Sequence, residues 1–150
     1  MSHVALMDAA LDEARRARDA GEVPIGAVVE VDGAIVGRGY NQPISSGDPT
    51  AHAEIVAIRD AARSVGNYRL TGAVLCVTIE PCLMCVGALV HARIGTLVYG
   101  ASEPKAGAID STQRAHEHPA LNNRMVVIAG VLASECGERM RRFFGEKRRD

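Results

Sequence analysis

Ala73-Val-Leu-Cys-Val-Thr-Ile79 runs directly into Glu80-Pro-Cys-Leu-Met-Cys85 and on through Val86-Gly-Ala-Leu-Val-His-Ala-Arg93. The first seven residues are a continuous apolar, β-branched run, the pattern of a strand buried on both faces. Pro81 suits the opening of a helix, where its missing N–H is not needed, and Cys82–Arg93 carries apolar residues at helical spacing. A buried strand delivering the chain through a turn into a helix is half of a crossover unit, so the fold is read as α/β from here outward.

Towards the C-terminus, Ile94–Gly100 reads as another strand, Ser102–Asp110 as irregular, Met125–Ala129 as a short strand and about Ala133 to Phe144 as a helix. Towards the N-terminus, Val4, Leu6, Met7, Leu11 and Ala14 recur at helical spacing within His3–Ala20, and Gly21 follows as a stop. Ile25–Val31 and Ala34–Tyr40 flank Asp32-Gly33, a dipeptide suited to a two-residue hairpin turn. Asn41 to Pro49 reads as a loop, after which Thr50 is expected to cap a helix that begins near His52 with Ile55, Val56 and Ile58 as its apolar face. These elements predict a three-layer α/β/α sandwich around a five-stranded mixed sheet, the first two strands antiparallel and the later ones joined by crossovers.

At 150 residues and 15.9 kDa the chain is expected to form one domain over 1–150. Hydrophobic residues make up 47%, which disfavours a disordered tail, a collagen-like repeat or a coiled coil. With 17 Lys+Arg against 18 Asp+Glu, nothing global attracts a polyanion, so any contact with nucleic acid must come from a local patch. No apolar run is long enough for a membrane helix and Asp8 and Asp12 interrupt the N-terminus, so the expectation is a cytoplasmic protein without a membrane partner. Four cysteines, two of them in Cys82-Leu-Met-Cys85, direct attention to metal or redox chemistry instead of a disulfide scaffold.

Zinc takes thiolate and imidazole ligands, and a catalytic site uses three of them with the fourth position open. His52, Cys82 and Cys85 supply three. Two cysteines three apart at a helix start share one face within one turn, where the helix dipole favours thiolates. Cys76 falls in the buried strand and Cys136 in the last helix, so both are read as core thiols and no fourth ligand is offered. Glu54, two residues after His52, then suits a general acid/base beside the open position. Alone, Cys-x-x-Cys also fits a dithiol redox motif or two core thiols, but neither gives His52 and Glu54 a part. A zinc-stabilised scaffold without catalysis leaves Glu54 idle.

His-x-Glu followed by Pro-Cys-x-x-Cys is the zinc-deaminase signature. Together with Val23-Pro-Ile-Gly-Ala-Val28, Gly39-Tyr-Asn41, Asp48-Pro-Thr-Ala-His-Ala-Glu-Ile55, Asn67-Tyr-Arg-Leu70, Ala92-Arg-Ile94 and Lys105-Ala-Gly-Ala108, it makes the chain resemble the bacterial tRNA-specific adenosine deaminases from about Ala5 to Phe144. The resemblance implies a cytidine-deaminase-like fold, a homodimer, and hydrolytic conversion of the wobble adenosine of a tRNA anticodon to inosine. It implies His52, Cys82 and Cys85 as the ligands of one zinc ion per chain, Glu54 as the proton shuttle and Asn41 as a base-recognition residue. Two positions depart from the family pattern: Glu103 stands where Asp is common, and Cys76 where Tyr is frequent.

An RNA substrate also needs affinity outside the pocket. Ser134–Asp150 holds six basic residues against four acidic ones, and the chain's only phenylalanines, Phe143 and Phe144, lie among them. Basic residues with interleaved aromatics can contact phosphates and stack unpaired bases, while either ring can equally be a core residue of the last helix. Lys105, Phe144, Arg148 and Arg149 are the expected contacts with a tRNA anticodon arm. The rival enzyme is a free nucleobase or nucleoside deaminase for guanine, cytosine or cytidine, with the same zinc and glutamate.

Overall fold

The computed structural model describes residues 1–149; the side chain of Arg149 and all of Asp150 lie outside the described residues. In order, the elements are α1 (His3–Asp19), β1 (Gly26–Val31), β2 (Ala34–Tyr40), α2 (Pro43–Ser46), α3 (Ala53–Val65), β3 (Val74–Ile79), α4 (Leu83–His91), β4 (Thr96–Ala101), a 3-10 turn (Ala115–Glu117), β5 (Val126–Ile128) and α5 (Ala133–Arg149). Among the described residues no helix is long and apolar enough to cross a membrane.

The five strands form one sheet in the order β2-β1-β3-β4-β5. β1 is antiparallel to both β2 and β3, whereas β3, β4 and β5 run parallel, so the sheet is mixed as expected. Asp32 and Gly33 both take positive φ, 50° and 82°, which matches the twist of a tight hairpin between β1 and β2. Alternation along the strands feeds two cores. Ala27, Val29, Leu75, Val77, Leu97 and Tyr99 face the core under α3 and α4, and Val28, Cys76 and Val98 face the core under α1 and α5. Helices on both sides of the sheet make the three layers. Cys76 and Cys136 are both buried in the α1/α5 core, which settles them as packing thiols.

The helix carrying His52 seats differently from its sequence reading. Its sheet-facing side is Ala53, Ala57 and Ala61, all buried, while Ile55, Val56 and Ile58 are only half-buried. The reason lies in β2: a Cβ at Gly37 would sit 2.5 Å from Ala57 O, and one at Gly39 2.6 Å from Ala53 O. Two glycines on the strand and three alanines on the helix let the backbones touch, leaving no room there for the larger side chains. Asp60, on the same helix, accepts the outward N–H of Arg38 on β2 at 2.9 Å. His52, not Thr50, occupies the N-cap position of α3; the Thr50 amide and hydroxyl instead donate to Asp48 Oδ1, at 2.9 and 2.7 Å. The loop read from Asn41 to Pro49 contains the single helical turn α2, and the last helix runs five residues beyond Phe144.

Candidate active site

The two helix starts that carry the motif meet on the α3/α4 side of the sheet. Cys82 is the N-cap of α4, at the C-terminal end of β3, and Cys85 lies in its first turn. Chain leaving β3 thus places both sulfurs together, at the strand end where parallel sheets gather ligands. His52 Nδ1 lies 3.5 Å from Cys82 Sγ and 3.5 Å from Cys85 Sγ, and the three atoms all lie within 4.8 Å of one another.

These donors fit zinc. Tetrahedral bonds of about 2.3 Å to sulfur and about 2.0–2.1 Å to nitrogen separate the two atoms by roughly 3.6 Å, and one imidazole with two soft thiolates is a donor set that selects zinc. Hydrogen bonding from the Cys85 thiol, aided by His52 and opposed by burial, holds Cys82 down at about 4, whereas sharing that proton and burial push Cys85 up. The hydrogen bond to Cys82 raises the His52 pKa. A bound cation would take the place of the thiol proton, since both sulfurs bind a metal as thiolates.

Glu54 lies in the first turn of α3 at 4% exposure, beside Cys85. Burial pushes its carboxyl up to about 7. A carboxyl that gains and loses a proton near neutrality is suited to general acid/base work. Asn41 is buried at the end of β2, its N–H donating to Ile25 O at 3.0 Å. The next residue, Gln42, donates to Ala51 O at 3.0 Å, so Asn41 belongs to a segment pinned one residue from His52.

Lys105, Phe144 and Arg148 come together elsewhere. With Pro104, Met140 and Arg141 they line a groove of about 750 Å³ between the loop after β4 and α5. Of the two phenylalanines, Phe143 is 7% exposed and packed inward, and Phe144 is 41% exposed. Arg149, the remaining expected contact, has its side chain outside the described residues. Glu103 closes the loop's own turn, its carboxylate accepting the Ala106 N–H and its carbonyl the Gly107 N–H.

Two buried carboxylates that fasten irregular segments, Glu22 and Glu80, escaped the sequence reading. Glu22 accepts the Ser45 amide and hydroxyl at 2.6 and 2.7 Å and the Ile44 amide at 3.4 Å, fastening α2. Glu80 fastens the loop that bears Lys105; burial pushes its carboxyl up, but hydrogen bonds from Ser111, Asp110 and Glu103 outweigh this and hold it at about 2. An acidic residue ending an apolar strand was the available signal for Glu80.

The model of the family described as cytidine and deoxycytidylate deaminase zinc-binding region matches residues 1–101. The tRNA-specific adenosine deaminase of Haemophilus influenzae is 45% identical over 97% of this chain and 84% of its own. That of Agrobacterium fabrum is 47% identical over 96% and 95%. The chain belongs to the cytidine and deoxycytidylate deaminase family, among its tRNA-specific adenosine deaminases. A solved structure from work on A-to-I editing by tRNA:A34 deaminases at the wobble position of transfer RNA superposes with a TM-score of 0.87 at 46% identity, covering 89% of this chain and 97% of that one. The family match contains His52, Cys82, Cys85 and Glu54, and it ends at β4, before the loop and helix that build the groove.

Proposed function

We propose that this protein converts the wobble adenosine of a tRNA anticodon to inosine by hydrolytic deamination, as a single deaminase domain acting in the cytoplasm. The observation that carries this is the meeting of His52, Cys82 and Cys85 around one metal position with the buried Glu54 beside it. When bound, zinc supplies a Lewis acid that brings the pKa of water close to neutrality. His52, Cys82 and Cys85 hold that ion, and Glu54 accepts the proton of the attacking water. Water adds at C6 of adenine; Glu54 passes its proton to the ring and then moves one to the leaving amine, so that ammonia and inosine result. Asn41 holds the base.

The RNA reading is supported by the groove that gathers Lys105, Phe144 and Arg148, two cations and a half-exposed ring suited to phosphates and an unpaired base. The same structure supports a homodimer: the outer side of α4 presents Leu83 at 58% and Met84 at 38% exposure, near a groove shared by Val86, Val90 and Leu121. Incubating the zinc enzyme with a tRNA anticodon stem-loop, and separately with guanine, cytosine and cytidine, tests the reading. Inosine at the wobble position without ammonia from the free bases or the nucleoside is the expected result; ammonia from one of these alone would replace the RNA with a small substrate.

A further inference from the structure

Among the described residues, Glu80 collects more hydrogen bonds than any other side chain. Its Oε1 accepts the Glu103 amide at 3.0 Å and the Ser111 hydroxyl. Its Oε2 accepts the amides of Ile109, Asp110 and Ser111 at 3.1, 2.8 and 3.0 Å. With its oxygens committed to these donors and only 3% exposure, it is neither a base nor a ligand. All five donors come from one segment, 23 to 31 residues further along the chain. That segment forms no strand or helix, so the carboxylate replaces the ladder it lacks.

The fit is close from the loop side as well. A Cβ at Gly107 would lie 2.3 Å from the Glu80 carboxyl, so only glycine lets the loop lie against it. The Ala108 amide donates to Pro81 O at 2.8 Å. Residues 103–111 are therefore wrapped onto residues 80 and 81, which lead directly to Cys82. The outer part of the same loop, from Ser102 to Lys105, forms the wall of the groove that faces Phe144 and Arg148.

We propose that Glu80 is a positioning residue for RNA: the loop hangs from its carboxylate, which sets the Lys105 wall of the groove in a fixed place relative to the metal ligand Cys82. The role rests on the RNA reading above and acts on substrate binding, not on the chemical step. Glu80→Gln tests it, because glutamine keeps the shape but turns an amide donor towards backbone N–H groups. Zinc should stay at one per chain by elemental analysis, and amide exchange at residues 103 and 109–111 should accelerate. KM for the anticodon stem-loop should rise about tenfold with kcat within about threefold of wild type. Ser111→Ala, which removes only the hydroxyl and keeps the Ser111 amide on the carboxylate, should raise KM in the same direction by about threefold.

An unchanged KM in both variants, loss of zinc, or a fall in kcat alone would overturn the role of Glu80 while leaving the RNA reading in place. A wild-type enzyme inactive on the stem-loop would remove the RNA reading and this role together.

Discussion

Glu54 is the residue on which chemistry and binding separate most cleanly. Glutamine in its place keeps the side chain's shape but accepts no proton, so Glu54→Gln should hold one zinc per chain and lose about 10²–10⁴-fold in deamination rate. Near-normal turnover by that protein would reassign the proton transfers. Replacing Cys82 or Cys85 with Ala should bring zinc content towards zero, because two ligands seldom hold a catalytic ion; retention of one zinc per chain in elemental analysis would contradict the ligand set. Glu54, Cys82 and Cys85, together with His52, could be read in the sequence because two short motifs carry them and each motif opens a helix. Glu80 could not be read in the same way, since its partners lie 23 to 31 residues away and are mostly backbone amides, which leave no trace in residue type.

At the level of elements, the seat of α3 on β2 fixes where His52 and Glu54 stand. Gly39→Ala would push a methyl into the Ala53 carbonyl and the Ala57 amide. It should cost about 3 kcal/mol, a fall of roughly 6–12 °C in Tm by calorimetry. An unchanged Tm would mean that the helix can retreat freely. The alternation of strands and helices was legible because each element has its own period. The alanine face of α3 was not: a helix that carries both isoleucines and alanines declares its inward side only against the strand it meets.

The α2 turn offers a pH test. Burial pushes the Glu22 carboxyl up, but the Ser45 and Ile44 hydrogen bonds outweigh it and hold the group below the ordinary carboxylate value. Its contribution is therefore complete above the ordinary value, about 4.3, and is lost as pH falls below it. Glu22→Gln should melt lower than wild type at pH 7, with the difference shrinking below about pH 4; a constant difference would exclude an ionised Glu22.

For the whole molecule, α5 is the strip on which affinity should be tuned. Arg148→Ala should weaken stem-loop binding and reduce the slope of log K against log salt by about one, as expected for one lost phosphate contact. Identical slopes would take Arg148 out of the RNA interface. The paired phenylalanines show how far a helix end can be read: the sequence left open which ring is core, and the turn of α5 decides it, Phe143 inward and Phe144 towards the groove.

The sheet itself ends in two unlike borders. β5 is only three residues long, and on β2 the Arg38 amide that faces away from β1 is already taken by Asp60. The β5 border is too short for a long row of free amides and the row on β2 is interrupted at Arg38, which makes both poor templates for strand-to-strand stacking. The apolar side chains exposed on α4, Leu83 and Met84, lie on a helix and not on a strand edge, so they offer a neighbouring copy a face to pack against and no ladder to extend.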